Sequence, residues 1–260
     1  MVRYIGLTSF LLLWALPAMA HEPILLDARH ATPGLVLTLT ELPSLPPASA
    51  TVKYRLQASG LPRGVVFGIW AKDFGHAFHG VATGFHMDGS GVVVSSELDN
   101  ISWVWRWWHR LVKGWPRRLD EMVLDPGPYY PRGAVWEVAL ASVDLTLTAF
   151  AKVIPYPISA RDGACTVSLD LASRRGDRFV TSGSGFAPGD DVITESRYSG
   201  RVIHKRWRIS PEGLLPPDVI LHGASGTDHN ARYAVKGRSC NVVVEYEWGS
   251  PPSAGANRTQ

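Results

Sequence analysis

From residue 165 onward, apolar and polar side chains alternate almost without interruption. Cys165, Val167, Leu169 and Leu171 share one face of the first run, with Thr166, Ser168 and Asp170 opposite. Cys240, Val242, Val244, Tyr246 and Trp248 share a face of the last run, opposite Asn241, Glu245 and Glu247. A period of two is that of a strand with one side buried. Strands are predicted at 165–171, 178–182, 191–197, 202–209, 214–221, 231–235 and 240–248, with turn signals between them. Seven short strands at such close spacing pack as a β-sandwich.

Before residue 158 the same signal is sparser. Strands are predicted at 35–40, 52–58, 65–70, 134–140 and 143–150, with Val52, Tyr54, Leu56 and Ala58 inward on the second. Residues 85–87 and 92–95 form a hairpin around Asp88-Gly89-Ser90-Gly91. Pro155-Tyr156-Pro157 interrupts pairing, because proline donates no ladder hydrogen bond and restricts its predecessor. The expectation is a mainly all-β chain of two β-sandwich domains, 21–157 and 158–249, with one amphipathic helix inserted in the first. Residues 250–260 carry nothing to bury and are expected to form a disordered tail.

The second of these regions holds a motif. Gly183-Ser184-Gly185-Phe186-Ala187-Pro188-Gly189-Asp190-Asp191-Val192 resembles the Gly-x-Gly-Phe-x-Pro-Gly-(Glu/Asp)-x-Val turn of Ig-like modules in bacterial exported and cell-surface proteins. The resemblance covers residues 160–248 and implies an Ig-like sandwich, with Phe186 plugging one end and Pro-Gly turning into the next strand. It implies a fold and no activity. The same stretch is a near miss to a nucleotide-binding fingerprint, but it lacks the spacing and the βαβ context.

The start of the chain changes the picture most. Arg3, the apolar run from 5 to 16 and Pro17-Ala18-Met19-Ala20 form the three parts of a secretory signal, so residues 1–20 are read as a signal peptide. The run is shorter than the roughly 20 residues of a membrane span, and no later segment serves as one. The mature protein is expected to begin at His21 and to be periplasmic or secreted. Export favours a disulfide between Cys165 and Cys240, the only two cysteines, both on inward strand faces. Closing that loop is worth about 4 kcal/mol in the chain-entropy model.

Between residues 102 and 115 lies a Trp-rich segment that reads as an amphipathic helix ending at Pro116. Arg106, Arg110, Lys113 and Arg117 gather on one side; Trp103 and Trp107 sit on the flanks of the apolar arc. Two arrangements follow: the helix buries its Trp face in the sandwich, or it presents a basic, aromatic surface. These six residues are the sequence's candidate binding surface, and their charge points to an anionic envelope surface or another envelope protein. The chain's net charge of +3 provides no overall field for nucleic acid.

Histidines supply the second candidate site. His21 at the mature N-terminus offers an α-amine and an imidazole to one ion, and His76, His79 and His86 follow, the first two in a glycine-bounded loop. The arrangement resembles the histidine brace of lytic polysaccharide monooxygenases and the N-terminal copper site of periplasmic copper carriers. That resemblance implies copper; otherwise no cofactor is expected. There is no nucleophile elbow, Walker loop or His-Glu-x-x-His. The leading expectation is an exported, non-enzymatic binding or structural protein, the alternative a copper protein.

Overall fold

The computed structural model describes residues 26–43, 51–95, 118–223 and 229–249. Alternation in the sequence becomes sheet pairing throughout, and all regular pairing is antiparallel. Four sheets result. In the first half, β1 (Val36–Glu41), β2 (Tyr54–Ser59) and β6 (Val123–Leu124) form one sheet in the order β1-β2-β6. Facing strands are β3 (Phe67–Lys72), β4 (Phe78–Met87), β5 (Val93–Ser95), β7 (Trp136–Ser142) and β8 (Thr148–Val153), in the order β5-β4-β3-β7-β8. Leu56, Phe67, Ile69, Phe85, Val138 and Leu140 are fully buried between them.

The second half pairs four strands with four. β9 (Ile158–Asp162), β10 (Cys165–Leu171), β11 (Arg178–Ser184) and β14 (Leu215–Leu221) lie in the order β14-β11-β10-β9. Opposite them, β12 (Asp191–Tyr198), β13 (Arg201–Arg208), β15 (Asn230–Lys236) and β16 (Asn241–Glu247) lie in the order β13-β12-β15-β16. Val167 and Leu169 from one sheet meet Val242, Val244 and Tyr246 from the other in a shared core. Cys165, the first residue of β10, is bonded to Cys240, which immediately precedes β16, with 6.4 Å between Cα atoms. The disulfide therefore ties the two sheets together, and the all-β expectation holds over the described residues.

The Gly-Phe-Pro-Gly motif has a steric explanation. Gly185 has φ +80°, and a Cβ there would sit 2.0 Å from the Ala164 carbonyl oxygen. Only glycine fits. Phe186 is buried beside Gly183, and the Asp190 carboxylate accepts a hydrogen bond from the Arg238 amide at 3.0 Å. The motif thus anchors the turn that leads into Cys240.

Three sequence expectations are corrected. Residues 143–150 are not one strand: Asp144 accepts hydrogen bonds from the Ser142 and Thr146 hydroxyls and the Thr146 amide, which folds 143–147 into a turn before β8. The loop placed at 75–80 ends early, because His79 and Gly80 already pair with Ala71 and Trp70 as part of the ten-residue β4. An extra strand, β9, pairs with β10, so Cys165 lies on the second strand of its half. The helix placed at 102–115 lies outside the described residues.

The halves meet at the Pro155-Tyr156-Pro157 corner. Tyr156 is buried; its hydroxyl accepts from the Val52 amide at 3.3 Å and donates to the Gly127 carbonyl at 3.2 Å. The Gly133 amide donates to the Tyr156 carbonyl, and the Leu171 amide donates to the Gly133 carbonyl. A side chain at Gly133 would press on the Leu169 carbonyl at 2.9 Å.

Candidate binding surface

The feature of the described residues that most invites a partner is an edge strand. β12 and β13 are joined by Ser199-Gly200, with φ of 44° and 73°, a two-residue turn of the type that matches sheet twist. The residues flanking such a turn, Tyr198 and Arg201, form a hydrogen-bonded pair, so Arg201, Ile203, Lys205 and Trp207 face β12 with their backbone groups. The far end agrees in phase, where the Ile209 amide donates to the Asp190 carbonyl at 2.8 Å. The amides and carbonyls of Val202, His204, Arg206 and Arg208 consequently point away from the sheet.

β13 reads Arg-Val-Ile-His-Lys-Arg-Trp-Arg: four cations, one histidine and no acid, all exposed except a half-buried Trp207. Alternation sends His204, Arg206 and Arg208 to the outer face of the sheet. Arg208 faces Asp191 loosely, at 3.7 Å. On the inner side, Lys205 Nζ reaches both Asp218 oxygens on β14 at 2.7 and 2.8 Å, bridging the rims of the two sheets.

Behind this edge the outer face is organised around Glu195. Register places Glu195 beside His204 on β13 and Ala234 on β15. Its carboxylate is almost fully covered and receives Arg197 at 3.0 Å, Arg232 at 3.5 Å and Lys236 at 3.5 Å. Burial opposes its ionisation, but the Lys236 charge and the hydrogen bonds from Arg197 and Lys236 outweigh it and hold the carboxyl below its ordinary range. Glu195 acts as the hub of a cation cluster. At the hairpin end, Arg197 and Arg232 line a depression of about 580 Å³ together with Arg132 from the first half and with Glu245 and Glu247.

Beneath the depression lies a buried aromatic group. His222 stacks on Trp248 at 4.8 Å and meets Tyr198 edge-on at 4.4 Å. Its Nε2 lies 3.0 Å from the Tyr246 hydroxyl. Burial pushes its pKa down to about 4, against a smaller opposing pull from Asp177, so at neutral pH it is an uncharged core ring.

The remaining sequence candidates are dispersed or undescribed. His76 sits in the turn after β3, its amide donating to the Asp73 carbonyl, and borders a second groove with Phe74, Tyr129 and Arg174. His79 and His86 lie on β4, seven residues apart and therefore about 20 Å along the strand. His79 Nδ1 is 3.9 Å from Asp73, and His86 Nδ1 is 3.4 Å from the Gly84 carbonyl oxygen. Among the described residues no three metal-ligating side chains converge. His21, Trp103, Arg106, Trp107, Arg110, Lys113 and Arg117 lie outside them. No described helix is long and apolar enough to cross a membrane. Sequence reasoning missed the β13 edge, although four cations in eight residues were a readable signal.

No protein-family model and no curated protein matches the chain. Among solved structures it is similar to the tetra-tandem repeat in the extending region of a large adhesion protein, at 13% identity and a TM-score of 0.26, over 83% of this chain and 49% of that one. It is also similar to a mutant Salmonella alpha-2-macroglobulin, at 13% identity and a TM-score of 0.20, over 88% of this chain and 17% of that one. The chain thus spans about half the length of the first and less than a fifth of the second.

Proposed function

We propose that this chain is an exported, non-enzymatic binding element of a bacterial envelope, built from two β-sandwich modules, and that it engages an anionic partner through β13 and the cations beside it. The observation that carries this reading is an exposed edge strand bearing four cations and no acid, on a chain whose net charge is only +3. Such local concentration against a nearly neutral background is a surface property, not a by-product of composition. The Cys165–Cys240 bond supports an oxidising compartment. Glu195, the buried carboxylate of this face, is engaged by three cations, which suits a role in arranging charge rather than in moving protons.

The test compares binding to washed envelope fractions at low and physiological salt. Arg206→Glu with Arg208→Glu should weaken retention by about tenfold, and salt should weaken the native chain in the same direction. Arg106→Glu with Arg110→Glu, run in parallel, probes the Trp-rich segment. Loss of binding only in the second pair would move the contact to that segment; no change in either would overturn the reading.

A further inference from the structure

Four backbone amides and carbonyls on one strand face outward, and charge alone does not satisfy them. Among the described residues β13 ends its sheet: β12 pairs with one side, and no strand occupies the other. The groups left over belong to Val202, His204, Arg206 and Arg208, which alternate with the residues bonded to β12. An open ladder is completed by an extended chain.

The side chains then select what that chain is. On the outer face a fifth strand would run beside His204, Arg206 and Arg208, with the Glu195 cluster one strand further in. Acidic residues at alternate positions match this row, since opposite charges directly across a ladder stabilise and like charges repel. On the inner side the newcomer would cover Ile203, which is 40% exposed at the mouth between the β13 and β14 rims, so its other positions should be apolar. A second copy of the same edge is a poor occupant, because pairing β13 with β13 sets cation against cation. An anionic lipid or polysaccharide would meet the charges but leave the backbone groups unpaired.

We infer that β13 accepts an extended peptide with acidic and apolar residues in alternation, which adds to the sheet as a fifth strand. This rests on the anionic-partner reading above and names its chemistry: backbone pairing provides the grip, and the cations provide the choice.

The experiment uses the full exported chain with its disulfide intact and a fluorescein-labelled peptide of alternating Glu and Val, read by anisotropy. Matched probes are the same peptide N-methylated at alternate amides, its Lys-for-Glu counterpart, and a polyglutamate too charged to supply apolar positions. The Glu/Val peptide should bind, the N-methylated form at least about tenfold more weakly, and the Lys form not at all. His204→Pro removes an outward amide that the fold does not use, and proline is tolerated on such an edge. It should keep the native melting temperature yet cost about tenfold in peptide affinity, whereas His204→Ala should cost little. Equal binding of the N-methylated and unmodified peptides would overturn strand addition while leaving the anionic surface intact. Binding of none of the acidic probes, polyglutamate included, would overturn both. Should His204→Pro prove unstable, the N-methylated peptide alone decides.

Discussion

At the scale of single residues, two positions carry testable consequences. His222 is neutral in the folded chain because its ring is buried among Tyr198, Tyr246 and Trp248, with a pKa near 4 instead of 6.5. Between those values the unfolded chain binds the extra proton, so stability is intact above pH 6.5 and is lost as pH falls toward 4. Melting temperature measured across that window should drop, and His222→Phe should flatten the drop while costing stability at pH 7 through the lost Tyr246 hydrogen bond. Gly185 is the other case. Gly185→Ala would drive a Cβ into the Ala164 carbonyl at a positive φ, and urea unfolding should show a loss of about 2 kcal/mol or more. The glycine was legible in the sequence through its motif; the histidine was not, because its glycine-rich surroundings resemble a solvated loop and only the fold brings four aromatic rings onto it.

At the scale of elements, what was legible was whatever alternated strictly within one strand. The inward cysteines of the β10 and β16 runs are such cases, and both sit where the alternation puts them. Residues 143–147 were misread because Val143, Leu145 and Leu147 alternate by chance, while Asp144 turns the chain with three local hydrogen bonds. β9 was missed because prolines precede it, and its pairing partner lies across a tight turn. The Glu195 cluster was beyond reach for another reason. Arg197, Arg232 and Lys236 come from two strands far apart in the sequence, and register alone sets them beside one carboxylate. Glu195→Ala would leave these cations unneutralised. It should lower the denaturant midpoint and, at the same time, tighten binding of polyglutamate at low salt. A merely structural acid would give the first effect without the second.

At the scale of the whole molecule, two devices hold the parts together. The Gly133 backbone links the halves, its carbonyl accepting from the Leu171 amide, while the Tyr156 hydroxyl fastens the corner to Val52 and Gly127 of the first half. Tyr156→Phe should cost about 1 kcal/mol, measured as a lowered urea midpoint without a change of fold. The disulfide acts within the second half, where reduction, or Cys165→Ala with Cys240→Ala, should cost up to about 4 kcal/mol of unfolding free energy. Its position has a mechanical meaning as well. The bond joins residues 75 apart, so β10 through β15 are enclosed in one covalent ring. A pull applied at the two ends of the chain passes from residue 165 to residue 240 through the sulfurs and bypasses the ring. Those enclosed strands bear no load, and roughly 250 Å of contour length stays locked until the bond is reduced. Stretched in an oxidising medium, the molecule would lengthen in its first half and at β9 and β16, while the six strands inside the ring keep their length.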